Sequence, residues 1–330
     1  MLDVYGLGNA LVDMEYQVED GFLRRHEIPK GHMTLVEEER LDALIADLHE
    51  YHPERMSGGS AANTVIAAQY FGASTYYSCK VANDETGQFF VADLNAAGVR
   101  SNADNTAGHG KSGRCLVLVT KDAERSMNTF LGASSDLSIH DIDEAALAQA
   151  RYFYVEGYLS SNPNSRDAAI ACRELAENAG VKTVVSLSDP SMVEFFRSDM
   201  EQILGNGVHH LFCNEEEALT WAKTDRLDIA VNELKDIAQA LNVTLGSRGS
   251  IAVTAHAQEE APGYPVQAVD TNGAGDIYAG ASLFGWCAGM SAGQAAAFGN
   301  LAAAALVQSY GARFRQGSDY QGVLTRFKRG

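Results

Sequence analysis

A chain of 330 residues with a formal charge of −18, 46% hydrophobic residues, 31 glycines and only 6 prolines is a packed globular protein, long enough for one large α/β domain with or without a small appendage. The acidic balance argues against nucleic acid as a partner, because phosphate backbones attract basic surfaces. No apolar run reaches the length of a membrane span, so no membrane partner is expected.

The opening, MLDVYGLGNALVDMEYQVED, has no basic n-region and no cleavage-site pattern, and predicts no secretory signal. Cys79, Cys115, Cys172, Cys213 and Cys287 are scattered, odd in number and never spaced C-x-x-C. Buried, reduced thiols and a cytoplasmic location are the expectation. DVYGLGNALVD (3–13) reads as a strand with a polar end, GGSAANTVIAAQYFGA (58–73) as a loop entering a helix, and STYYSCKVAN (74–83) as a strand. DETGQFFVADLNAAGV (84–99) is a helix ending at Gly98. RYFYVEGYL and VKTVVSLS read as strands flanking the helix DAAIACRELAENAG. VHHLFC then leads into NEEEALTWA, and NELKDIAQALN into VTLGSRGSIAVTA. The strands are short and apolar on both faces, as buried parallel strands are. Repeated β-α units predict a doubly wound sheet with helices on both sides. Residues 14–36 and 113–133 break this rhythm as pairs of short strands, with TKDAER (120–125) as a hairpin turn. Together they predict one small β-sheet inserted in the first half, a lid over the main domain.

Two glycine-rich stretches resemble nucleotide motifs and fail them. GLGNAL (6–11) begins like G-x-G-x-x-G but has Leu11 at the third glycine and continues extended, not helical. AGHGKSG (107–113) ends like a P-loop, but the first glycine of that motif would fall on Asn105 and a strand follows. The nine histidines show no metal spacing, His209-His210 begins a buried strand, and no G-x-S-x-G elbow occurs.

The chemistry concentrates in DTNGAGDIYAG, residues 270–280. Gly273, Ala274 and Gly275 lie where a loop becomes a helix. Backbone amides there lack intrahelical partners, and the helix dipole adds positive charge, so they form an anion hole. Asp276 in the first helical turn would be ordinary dipole compensation. Beside an anion hole it has a sharper use. If the anion is a phosphoryl group in transfer, Asp276 takes the proton of the attacking hydroxyl. Asp270 precedes the turn and shapes it, or helps hold a cation.

The run D-T-x-G-A-G-D resembles the C-terminal signature of the PfkB, or ribokinase-like, family of carbohydrate and nucleoside kinases. GGSAANTVIAAQYFGA resembles the family's Gly-Gly pair entering a helix. The two motifs stand in the family's order, and the resemblance spans essentially the whole chain. It implies one domain over residues 1–330, a three-layer α/β/α doubly wound sheet with a small β-sheet lid. It also implies ATP as co-substrate with Mg²⁺. For the acceptor it implies contacts from Asn9, Asp13, Gly58, Gly59 and Asn63, and from Glu156 at a strand end. A carboxylate such as Asp13 can accept two hydrogen bonds from vicinal hydroxyls. Arg114 and Asn128, on lid strands, are further candidates. NEEE matches the family's N-x-x-E, with Asn214 and Glu217 organising Mg²⁺ largely through water; alone it would be an acidic helix start. TLGSRGS resembles the nucleotide loop, with Thr244, Gly246 and Gly249 along the triphosphate and Arg248 paired to it. Asn300 is the polar candidate against adenine. In many members K⁺ binds loop carbonyls near the Asp-Thr pair, here Asp270 and Thr271.

The acceptor stays open between two classes. GNALVDMEYQV, KGHMTLVEEE, MNTFLGAS and LFCNEEEA look like the family's adenosine kinase branch. Met33, Leu35 and Phe130 would then sandwich a purine. The alternative is a neutral sugar such as ribose or fructose; Ser60 stands where ribokinases carry a lysine. A nucleoside-binding protein without turnover is the remote third reading. The family contains both monomers and homodimers.

Overall fold

Short strands apolar on both faces, alternating with helices, need cover on both sides, and the chain supplies it. The computed structural model describes residues 2–48, 54–104, 106–122 and 124–329. Its strands are β1 (Leu2–Leu7), β2 (Leu11–Gln17), β3 (Met33–Leu35), β4 (Glu54–Gly58), β5 (Thr75–Ser78), β6 (Arg100–Ser101) and β7 (Gly113–Val119). There follow β8 (Arg125–Phe130), β9 (Ala150–Glu156), β10 (Lys182–Ser186), β11 (His210–Asn214), β12 (Leu241–Thr244), β13 (Gly249–Val253) and β14 (Gln258–Pro262). Nine form one sheet in the order β14-β13-β12-β11-β10-β9-β1-β5-β6. From β6 to β12 every pairing is parallel, and β13 and β14 add an antiparallel edge.

Side chains alternate along each strand and fill two cores. On one face Tyr5, Leu7, Phe153, Val155, Val185 and Leu211 pack against the helices Pro163–Asn178, Arg197–Leu204 and Glu215–Ala222. On the other, Val4, Tyr77, Tyr154, Val184 and Phe212 meet the helices Ser60–Phe71, Glu85–Ala96 and Ala274–Cys287. The three layers predicted from the sequence are therefore present.

The other five strands form a second sheet, β3-β8-β7-β2-β4. Here the structure refines the sequence reading twice. The run 3–13 is not one strand. It breaks at Gly8–Ala10, so β1 joins the large sheet and β2 the small one. Gly8 permits the break: a Cβ there would lie 2.7 Å from Ala61 Cβ and 2.8 Å from the Glu156 carboxyl carbon. The small sheet also takes β4, which the sequence leaves unmarked because ERMSG has no apolar alternation. Of the turn TKDAER, Ala123 lies outside the described residues, as does the decoy position Asn105.

Candidate active site

The carboxyl ends of the large sheet's parallel strands open into a cavity of about 470 Å³. Asn9 beyond β1, Glu156 ending β9, Ser186 ending β10, Asn214 ending β11 and Thr244 ending β12 all line it. A doubly wound sheet places its crevice there, where strand order reverses about β1. The small sheet contributes the wall carrying Leu11, Asp13, Met33, Met127 and Leu131.

Two helices set the floor. Ser60–Phe71 is rich in alanine and Ala274–Cys287 in glycine and alanine, and the two approach closely. A Cβ on Gly280 would lie 2.7 Å from Ala67 Cβ. Their N-termini meet at Asp276, whose Oδ1 accepts a hydrogen bond from Ser60 Oγ at 2.7 Å and Oδ2 one from Asn63 Nδ2 at 3.0 Å. Burial pushes this carboxyl up to about 6, against both hydrogen bonds. Gly273 caps the helix with φ +71°. A side chain there would run into the Ala312 carbonyl, so glycine is required for both reasons. Ala274 N–H meets Thr271 O at 3.3 Å, while no partner among the described residues engages the amides of Gly273, Gly275 or Asp276. Those amides are the open part of the anion hole.

Asp270 holds that loop together. Its Oδ1 accepts from Asn272 N–H at 2.9 Å, its Oδ2 from Gly311 N–H at 2.7 Å, and Arg125 of the small sheet ion-pairs with it. It is 3% exposed and does not line the cavity, whereas Thr271 does. Its turn-shaping role is thus the one the geometry carries.

Asn9, Asp13, Gly59 and Asn63 line the cavity, and Gly58 pairs with Leu11 behind Asp13. Burial pushes Asp13 up to about 7, against the pull of Arg313. Glu156 lines the cavity too, but both its oxygens are taken. Oε1 accepts from Asn9 N–H at 2.9 Å and Asn9 Nδ2 at 2.8 Å, and Oε2 from Ala61 N–H at 2.7 Å. It ties β1, β9 and the Ser60–Phe71 helix together, and burial raises it to about 7. Asn214 and Glu217 form a reciprocal capping box. Glu217 is 4% exposed, and burial raises it to about 8.

Other sequence-predicted positions fall outside the cavity. Thr244 and Gly246 line it, but Arg248 is exposed and paired with Glu215. Gly249 turns the β13 strand at φ +103° against Ala261. Asn300 donates to the carbonyls of Ala261 at 2.9 Å and Pro262 at 3.3 Å. On the small sheet Met33 and Leu35 line the cavity, but Phe130 does not. Side chains of β7 and β8 alternate, so Cys115, Met127 and Thr129 face the cavity. Phe130 packs on the opposite face with Leu116 and Leu118. Arg114 lies over its ring, 5.9 Å from the centroid, and pairs with Asp42 at 2.8 Å. Asn128 shares Phe130's strand and is likewise absent from the cavity wall. Sequence reasoning missed Ser60, Met127 and Leu131. For the last two the signal was available in the period-2 phase of MNTFL.

Among the described residues no lysine or arginine lines the cavity, yet Asp13, Glu156, Asp189, Glu217 and Asp276 do. A triphosphate entering such a site needs a cation to travel with it. Among the described residues no group of three or more His, Cys, Asp or Glu side chains forms a metal cage.

Comparison with known proteins identifies the family and the fold. A model of the pfkB family carbohydrate kinases matches residues 37–317. The crystal structure of an adenosine kinase from Sinorhizobium meliloti is 34% identical with a TM-score of 0.91, covering 99% of each chain. A probable sugar kinase from Rhizobium etli CFN 42 is 30% identical with a TM-score of 0.92, again covering 99% of each chain. Adenosine kinase 2 of Arabidopsis thaliana is 28% identical over 301 residues, 83% of this chain and 85% of that protein.

Proposed function

This chain belongs to the pfkB family of carbohydrate kinases, in its adenosine kinase-like branch, and from that premise we propose that it moves the γ-phosphoryl group of ATP to the 5′-hydroxyl of a purine ribonucleoside, adenosine first. That it is an ATP-dependent kinase with the ribokinase-like fold follows from the family and the structural neighbours. One observation carries the finer reading. The Asp276 carboxylate stands beside open helix-start amides, opposite a wall of Met33, Leu35, Met127 and Leu131. An apolar slot suits the faces of a flat base, and Asp13 suits two vicinal hydroxyls. The lack of lysine and arginine favours a neutral acceptor over a phosphorylated one. The Sinorhizobium and Arabidopsis relatives are adenosine kinases.

In the proposed step the acceptor oxygen attacks the γ-phosphorus and its proton passes to Asp276. The bond from the γ-phosphorus to the bridging oxygen breaks, and ADP leaves with that electron pair. The open amides of Gly273, Gly275 and Asp276 hold the charge that develops on the phosphoryl oxygens. Asn214 and Glu217 would hold Mg²⁺, largely through water, and the ion would supply the positive charge the cavity wall lacks. The small sheet acts as the lid that keeps water from the phosphoryl group. A K⁺ at the loop carbonyls near Asp270 and Thr271 is tested by its effect on turnover, the Asp270 carboxylate itself being paired with Arg125.

The test is ADP release with Mg²⁺-ATP, with and without K⁺, against adenosine, inosine, guanosine, ribose and fructose at matched concentrations. Turnover with adenosine well above the rest is expected. Turnover with a sugar alone would keep the Asp276 chemistry and overturn the acceptor. Asp276→Asn is expected to lower kcat by about 10²–10⁴-fold, as loss of a general base does, while ligand binding stays measurable by calorimetry. A variant at near-wild-type rate would remove the base assignment.

A further inference from the structure

Ser60 opens the Ser60–Phe71 helix, and its hydroxyl has one partner, Oδ1 of Asp276 at 2.7 Å. The two residues are 216 positions apart, so the contact joins two helix N-termini that meet only in the folded chain. Three features fix where Ser60 sits. Gly59 precedes it at φ +98°, with no room for a Cβ against the Asn9 carbonyl. Ala61 N–H, next along the chain, is held by Glu156 at 2.7 Å. Asn63, one turn on, donates to the other carboxylate oxygen, leaving its buried Oδ1 without a partner and free to accept from a substrate hydroxyl. The Asp276 carboxylate is thus clamped by one donor on each oxygen, each oxygen keeping a second lone pair for an incoming proton.

We infer that Ser60 is a positioning residue that aims the Asp276 carboxylate and keeps it ionised for proton transfer. This rests on the general-base reading of Asp276. The physical reason is simple. A donor to a carboxylate favours its charged form, and a carboxyl in so buried a place needs that help to be a base near neutral pH. A neutral hydroxyl does so without occupying the path of the transferred phosphoryl group or adding a charge that would compete for it. When Asp276 has taken the proton, Ser60 can turn its own hydrogen away, because a hydroxyl is also an acceptor. A lysine in this place could not.

The experiment is the pH dependence of kcat/KM from pH 5 to 9 for wild type, Ser60→Ala, Ser60→Thr and Asp276→Asn, with the acceptor that turns over best. Ser60→Ala is expected to move the acid limb up by about one pH unit, to lose about fivefold near pH 6 and nearly tenfold at pH 5, and to recover at pH 9. Ser60→Thr keeps the hydroxyl and should follow wild type. Asp276→Asn should stay about 10²–10⁴-fold below wild type, with no acid limb of its own. Should Ser60→Ala keep the wild-type acid limb while Asp276→Asn is that far reduced, Ser60 only packs the helix end and this inference fails alone. Should Asp276→Asn stay near the wild-type rate, the base reading fails and takes Ser60 with it. The same shift can be read without turnover. The pH at which wild type and Asp276→Asn differ in unfolding free energy should rise when each also carries Ser60→Ala.

Discussion

Gly273 and Gly275 stand two residues apart in one loop, and the structure separates their tasks. Gly273 has φ +71° and would drive a Cβ into the Ala312 carbonyl. Gly275 lies within the Ala274–Cys287 helix, and a Cβ there meets nothing within 4 Å. Gly273→Ala should therefore lose about 1–3 kcal/mol of stability from backbone strain alone, more if Ala312 cannot yield. Gly275→Ala should keep or raise the melting temperature, since alanine is the better helix former by up to about 1 kcal/mol. It should nevertheless lose most turnover, because the new methyl fills space a phosphoryl group must use. Melting curves beside ADP release distinguish the two. A Gly275→Ala variant with normal turnover would place the phosphoryl group elsewhere. At this scale the sequence was informative. The D-T-x-G-A-G-D run located the helix start, the cap and Asp276 together, since amide geometry and dipole follow from local order. The Ser60 contact was invisible there, because only folding brings residue 60 to residue 276.

Element by element, legibility depended on whether a strand's phase was respected. The β-α alternation predicted the large sheet, because apolar runs bounded by helices have few other ways to bury both faces. The small sheet was foreseen in outline from 14–36 and 113–133, and Asp13, Met33 and Leu35 were named among its facing residues, but on β7 and β8 the facing residues were missed, because Arg114, Asn128 and Phe130 were chosen by type and position. Alternation places Met127, Thr129 and Leu131 toward the cavity and Phe130 against Leu116 and Leu118. Met127→Ala should raise the acceptor KM by about 3–10-fold, the loss of an apolar contact worth about 1 kcal/mol, with little change in stability. Phe130→Ala should cost about 1–3 kcal/mol, below the full core value because the ring is half-buried, with KM nearly unchanged. Acceptor titrations and urea unfolding on both variants check this. If Phe130→Ala alone changed KM, the strand's facing would be misassigned. The nucleotide loop shows a related limit. Its glycines looked alike in sequence, yet Gly246 faces the cavity and Gly249 serves the turn into β13.

For the whole molecule the governing fact is an acidic chain that has drawn carboxylates together in a cavity whose described lining holds no lysine or arginine, Arg313 and Arg125 acting on Asp13 only from behind the wall. Burial raises Asp13 to about 7, Glu156 to about 7 and Glu217 to about 8. Such groups hold protons in the folded state that they give up when unfolded, so the stability they contribute is lost as pH rises through those values. Elsewhere the sign is opposite. Despite its burial, Asp93 is held below the ordinary carboxylate range by Arg313 and Ser57, and its contribution is lost only in acid. His210, buried against Asn242 at 2.7 Å and pushed down to about 3, resists protonation and so costs stability below about 6.5. Between pH 6.5 and 8.5 the raised carboxylates act. Toward pH 8.5 the thiols of Cys79, Cys115, Cys172, Cys213 and Cys287 join them, because burial keeps these protonated while the unfolded chain begins to lose those protons. Unfolding free energy should fall by about 1–3 kcal/mol across this window. Glu217→Gln preserves the capping-box pattern and should flatten that fall, and Mg²⁺ with ADP should flatten it in the wild type by supplying the missing positive charge. Urea unfolding at pH 6.5, 7.5 and 8.5 decides it. A wild-type slope near zero, or a Glu217→Gln slope equal to wild type, would mean that the cavity carboxylates share their charge with water. The requirement for a divalent cation would then have to come from the phosphates alone.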